Sequence, residues 1–187
     1  MNQGVRESFN HELLRFLGAS PTPFHAVRAL AVMLEEGGFR ELREQDAWTC
    51  EAGGRYFVRR NDSSLIAFVK GRVAAEDAGL RMAGAHTDSP CLRLKPRPEL
   101  RRSGYLQLGV EVYGGALLNP WFDRDLSIAG RVSYATAGGV AHALIDFREP
   151  VAGIPRLAIY PYRTANSGRA GTTKNRLPEL VERPAAK

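Results

Sequence analysis

Residues 79–96 read GLRMAGAHTDSPCLRLKP, and the rest of the chain is best understood around them. The short apolar run of Leu80, Met82, Ala83 and Ala85 reads as a strand that delivers His86 and Asp88, two residues apart. Residues i and i+2 of a strand project from one face, so an imidazole and a carboxylate are expected to leave the strand end together. Ser89-Pro90 closes the segment, because proline has no N–H for a ladder and biases its predecessor toward extended or turn geometry. A hydrolytic metal centre takes several N or O donors, an open position for water and a carboxylate to move the proton. His86 and Asp88 supply half of such a site. On spacing alone, a structural histidine–aspartate pair is the commoner reading.

Upstream, Phe9, Leu13, Leu14, Phe16 and Leu17 fall at helical spacing over residues 6–17, and Gly18 is a stop signal. Ser20-Pro21-Thr22-Pro23 punctuates the chain before a second helix over 23–36, which closes on Gly37-Gly38. His25, near that helix's start, reads as a cap or packing residue rather than a ligand. From Phe39 the period changes. Trp48-Thr49-Cys50, residues 54–60 and residues 64–69 read as short strands, with turn signals at Gly53-Gly54 and Asn61-Asp62. Two helices laid against a sheet are expected, one strand of which ends at His86.

Downstream of Pro98, residues 105–113 alternate with strand period, and NPWFDRDLSIAGRVSY occupies 119–134. A glycine turn at Gly138-Gly139 precedes a further strand over 140–147, and Pro150 and Pro155 flank a turn before Leu157-Ala158-Ile159-Tyr160. Closely spaced strands with glycine turns and almost no helical signal predict a small antiparallel β module. Asp123 and Asp125 share a face by strand logic, but a salt-bridged turn or an interface is the favoured reading of the pair. His142 reads as an exposed strand residue. The polar end, 164–187, has Leu177, Leu180 and Val181 as its apolar cluster.

The 187 residues, 44% hydrophobic and 25% charged, have the composition of one soluble domain, or of one and part of another. The net charge of +6 permits nucleic-acid binding. However, Arg93, Lys95, Arg97, Arg101 and Arg102 lack the interleaved aromatics of a single-strand binder and read as a solvated or subunit-contacting edge. Cys50 and Cys91 lie outside any C-x-x-C spacing, which suits free thiols in a reducing compartment. With no signal-peptide core and no membrane-length apolar run, a cytoplasmic protein with no membrane partner is expected. Nucleophile-elbow, Walker, Rossmann and H-E-x-x-H motifs are absent from the sequence.

The blocks SPTPFHAV, AGAHTDSPCLRLKP, YGG, NPWFDRDLSIAGRV and IPRLAI, in this order and separation, resemble the aspartyl-aminopeptidase family of cocatalytic zinc metallopeptidases, from about Leu13 to Arg163. The resemblance implies that His86 is a zinc ligand and that Asp88 orients the ligand set and assists catalysis. It implies two Zn2+ per site, a peptide substrate, and removal of an N-terminal, often acidic, residue by zinc-bound water with a glutamate as base. The implied fold class is α/β: an incomplete metallopeptidase catalytic domain (1–97) followed by a β-rich oligomerisation module (98–187). Family members assemble as tetrahedral dodecamers, so a homo-oligomer, or co-assembly with an intact relative, is expected.

Two departures qualify the implied activity. The family's bridging aspartate, its glutamates, a further aspartate and its last histidine ligand belong to a later segment, which nothing in 164–187 resembles. Moreover, Tyr160 stands where the family pattern has a histidine that reaches into a neighbouring active site, and a phenol is a poor zinc ligand at neutral pH. The chain alone is therefore expected to be weakly active or inactive. The rival readings are a non-catalytic assembly subunit and a truncated, non-functional product.

Overall fold

Pro21 and Pro23 set where the second helix begins. In the computed structural model, which describes residues 3–102, 104–155 and the backbone of 179–182, α1 spans Gln3–Gly18 and α2 spans Pro23–Glu36. Thr22 is the N-cap of α2, its backbone extended (φ −141°, ψ 163°), and its hydroxyl accepts from the His25 N–H at 3.4 Å. The same hydroxyl lies 2.7 Å from His25 Nδ1. His25 is buried beside Ala26, Val27 and Ala31, so it packs and caps as the sequence suggests. The helix closes on Gly37, and Gly38 follows with φ 77°, a left-handed backbone that glycine adopts without strain.

The described residues form two units, one drawn from Met1–Ser89 and Ala129–Ile145, the other from Pro90–Ile128 and Asp146–Lys187. In the first, β1 (Arg40–Leu42) runs parallel to β2 (Arg55–Arg60), and β2 pairs antiparallel with β3 (Ser64–Val69). The sheet order is β1-β2-β3. Tyr56, Phe57 and Val58 of the middle strand are buried, as is the face of α2 that packs over the sheet. Glu41 on β1 accepts two hydrogen bonds from Arg59 on β2, at 2.6 and 3.0 Å. That hydrogen bond raises the Arg59 guanidinium above its ordinary value, against the opposing pull of partial burial.

The turn after β2 places Asn61 and Asp62 at φ 51° and 54°, a region these residues tolerate. A short helix, α3 (Ala75–Ala78), follows. The same unit holds a two-stranded sheet of β6 (Ala129–Thr136) and β7 (Gly139–Asp146). Arg131 on β6 donates to the Asn61 carbonyl at 2.9 Å and lies 4.1 Å from the centre of the Phe24 ring, tying this hairpin to α2 and to the β2–β3 turn. His142 is exposed on β7, its Nδ1 2.8 Å from Ser133 Oγ.

The second unit is β-rich, as expected. β4 (Cys91–Arg102) and β5 (Tyr105–Tyr113) form a long antiparallel pair, and β8 (Ala152–Gly153) and β9 (Glu179–Glu182) complete a sheet in the order β4-β5-β9-β8. The β4–β5 register shifts between Leu94 and Glu99. Pro96 and Pro98 lie in that interval and lack the N–H a ladder needs. Val110, Ala152 and Ile154 are the buried centre, with Leu92, Leu108, Trp121, Phe122, Leu126 and Val151 around them. The basic residues of β4 are exposed along an edge strand, and Arg93 sits 5.1 Å from the Tyr113 ring centre.

Two strand expectations are corrected. Leu80–Ala85 has no strand structure; among the described residues nothing pairs with it, and a strand is only as real as its ladder. Trp48–Cys50 is likewise irregular, with Trp48 Nε1 donating to the Arg43 carbonyl at 2.7 Å. Asp123 lies in a turn, the reading favoured over a shared strand face: it has φ 54° and its N–H donates to the Ile154 carbonyl at 2.9 Å. The expected strand at 157–160, Tyr160 and Leu177 lie outside the described residues, whereas Leu180 and Val181 belong to β9, which pairs with β5. No described helix is long and apolar enough to cross a membrane.

Candidate metal centre

Gly79, at φ 70°, turns the chain out of α3, and the following eleven residues run without regular structure to the start of β4. Thr87 anchors this segment, its hydroxyl donating to the Ser63 carbonyl at 2.7 Å. His86 and Asp88 flank that anchor.

His86 Nδ1 lies 2.6 Å from the Asp88 carbonyl oxygen. A carbonyl only accepts, so Nδ1 carries the proton, and in the neutral ring Nε2 then carries the lone pair. The ring is thus held by its backbone neighbour in the tautomer that offers Nε2 outward, the arrangement by which proteins commonly prepare a metal-ligating imidazole. The side chain is 79% exposed, and Asp88 Oδ1 stands 3.7 Å from Nδ1. The sequence spacing thus brings the two residues together without the strand it was read from. Sequence reasoning gave no role to Thr87, whose contact with Ser63 spans 24 positions.

An imidazole nitrogen and a carboxylate oxygen are the right kinds of donor for zinc, but zinc sites in proteins are usually tetrahedral and built from at least three side chains. Among the described residues, no group of three or more His, Cys, Asp and Glu is placed to hold a metal. Cys50 and Cys91 are thiols rather than a disulfide, and neither joins such a group. His86 and Asp88 are two donors of the kinds zinc accepts, fewer than such a site needs.

The structure sets an imidazole and a carboxylate together in the helix-and-sheet unit, and a β-rich unit forms the other part of the chain. Comparison with known proteins makes this specific. The sequence model of the Aminopeptidase I zinc metalloprotease (M18) family matches residues 16–183, and the chain belongs to that family. It is 58% identical over 182 residues to a probable M18 family aminopeptidase 2 of Ectopseudomonas mendocina; the match covers 97% of this chain and 42% of that relative's length. Among solved structures, Chaetomium thermophilum mApe1 is similar at 36% identity and a TM-score of 0.80, over 94% of this chain and 40% of that one. The S. cerevisiae mApe1 dodecamer is similar at 30% identity and a TM-score of 0.77, over 97% and 39%.

Proposed function

We propose that this chain carries part of a zinc aminopeptidase that removes N-terminal, acidic residues from peptides in the cytoplasm. His86 is one metal ligand through Nε2, and Asp88 orients it and assists catalysis. The observation that carries this reading is the His86 Nδ1–H bond to the Asp88 carbonyl, found in a chain of the M18 family. When two zinc ions are held, they supply a water nucleophile at neutral pH. This chain's own contribution is to fix the imidazole's tautomer and aim, and to keep a carboxylate 3.7 Å from the ring.

Residues 1–97 belong on this reading to the catalytic domain and 98–187 to an oligomerisation module. The chain spans 42% of the length of its E. mendocina relative, and its described donors are too few for zinc. On its own it is therefore weakly active or inactive, and it works in a homo-oligomer or in co-assembly with an intact relative. The test is hydrolysis of aspartyl and glutamyl chromogenic substrates by the purified chain. Turnover near background is expected, and robust turnover would sink the reading of an incomplete site.

A second reading, a non-catalytic assembly subunit, is favoured by the β-rich second unit and by the dodecameric state of the S. cerevisiae relative. It requires that mixing with the intact E. mendocina relative change that enzyme's size or rate.

A further inference from the structure

A cavity of about 200 Å³ opens between α2, the turn after β2 and the β6–β7 hairpin, and every residue lining it belongs to the first unit. Three guanidinium groups line it, those of Arg28, Arg59 and Arg131. Arg59 is already matched, by Glu41 at 2.6 Å and, at 3.7 Å, by Asp62, the one carboxylate in the lining. Arg131 is half-buried and meets only neutral oxygens: its Nη1 donates to the Asn61 carbonyl at 2.9 Å, and Nη1 and Nη2 both donate to Asn61 Oδ1 at 3.3 Å. Among the described residues nothing accepts from Arg131 Nε, so the Nε–Nη2 edge of the guanidinium is open. Arg28 is exposed, and among the described residues neither it nor Arg131 makes an ion pair. The cavity thus keeps two positive charges that no described carboxylate pairs with. His142 lines it too, with Nδ1 2.8 Å from Ser133 Oγ. The rest of the lining is apolar: Val27, Ala143, Leu144 and the Phe24 ring beneath Arg131.

We propose that this cavity binds a small organic monocarboxylate, its anionic end on Arg28 and Arg131 and its aliphatic tail against Val27, Ala143 and Leu144. A guanidinium edge presents two parallel N–H donors, the geometry that grips a carboxylate through both oxygens. Asn61 and the Phe24 ring hold the Arg131 plane in advance, so little freedom is lost when the ligand arrives. The apolar lining gives a hydrocarbon tail a place that an inorganic anion would leave unused. Asp62 repels a second negative charge, which favours a monoanion over a phosphate dianion. The volume lies below the ~300–1,000 Å³ of sites for drug-sized molecules, so the ligand is small. Bound there, it joins α2 to the β6–β7 hairpin. The site uses neither His86 nor Asp88 and stands apart from the metal reading.

The test is a titration of the purified chain with isocaproate at constant ionic strength, followed by the backbone amide signals in NMR spectra. Saturable shifts are expected at Val27, Ala143 and Leu144, with a Kd on the order of 1 mM, the scale for a ligand of about eight non-hydrogen atoms. Isocaproamide, with the same tail and no charge, should give no saturable shift. Inorganic phosphate should bind at least about tenfold more weakly than isocaproate. Arg28→Gln removes one unpaired charge at an exposed position and should weaken isocaproate by about tenfold or more, with the amides of β1–β3 unmoved. Arg93→Gln, on β4 of the second unit, should bind as the parent does. Equal binding of isocaproamide would reduce the cavity to apolar contact, and phosphate as tight as isocaproate would make it a site for any anion. Parent-like binding by Arg28→Gln, or equal weakening by Arg93→Gln, would remove the cavity's own charge from recognition. Each of these results, or shifts that never saturate, would overturn the proposal.

Discussion

Phe57 and Ile66 lie on neighbouring strands of one sheet and should respond very differently to truncation. Phe57 is fully buried in the middle strand, opposite Glu41 on β1 and Ala67 on β3. Phe57→Ala removes a ring from a packed site and leaves a cavity, a change that costs about 3–5 kcal/mol. In a unit of roughly a hundred residues each kcal/mol moves Tm by about 4–8 °C, so a fall of about 12–40 °C is expected. Ile66, opposite Val58, keeps most of its surface in water. Ile66→Ala should therefore cost less than about 1 kcal/mol, because little area is lost from cover. Thermal unfolding followed by Trp48 fluorescence, in a Trp121→Phe background so that the first unit alone reports, separates the two. An Ile66→Ala loss as large as that of Phe57→Ala would refute the reasoning, since it would mean that the β3 edge is already covered in the isolated chain.

Thr22→Ala deletes the N-cap acceptor of α2 and the partner of His25 Nδ1, and should lower stability by about 1 kcal/mol in urea unfolding followed by circular dichroism. Glu41→Gln breaks the ion pair with Arg59; both side chains are about one-third exposed. Solvent screening holds that cost below about 1 kcal/mol, and the gap from the parent should shrink at about 1 M salt. The Arg59 pKa is raised in the folded state, so its contribution is complete below the ordinary arginine range and is lost only as pH rises through the folded value. Stability curves of the parent and Arg59→Met across neutral pH should accordingly run parallel; a divergence there would assign the pair a titration that the structure does not support.

Elements whose boundaries are written in local chemistry were legible. The Pro21-Thr22-Pro23 entry and Gly37-Gly38 exit place α2 at Pro23–Glu36, and strict alternation places β5 at Tyr105–Tyr113. What depends on a distant partner was not legible. Leu80–Ala85 has strand composition, but strand structure requires a neighbour, and none is present among the described residues. The turn at Asp123 was the favoured reading, but its positive φ and its bond to Ile154 could be placed only with coordinates. The Arg131 bond to Asn61 spans 70 positions, and no local pattern announces that β6 and β7 share a unit with the two helices. At the candidate site, the pairing of His86 with Asp88 was visible in the spacing. The tautomer was not, because it is set by a backbone carbonyl that can be placed only with coordinates.

Zinc content by elemental analysis bears most directly on the central claim, that His86 and Asp88 are a partial metal site completed by other M18 residues. It should be measured on the chain alone, on the chain joined to the remainder of the E. mendocina relative, and on the His86→Ala form of each. The account predicts substoichiometric zinc in the chain alone, stoichiometric zinc in the joined polypeptide, and loss of that zinc with His86→Ala. Stoichiometric zinc in the chain alone, or zinc in the joined polypeptide that survives His86→Ala, would contradict it.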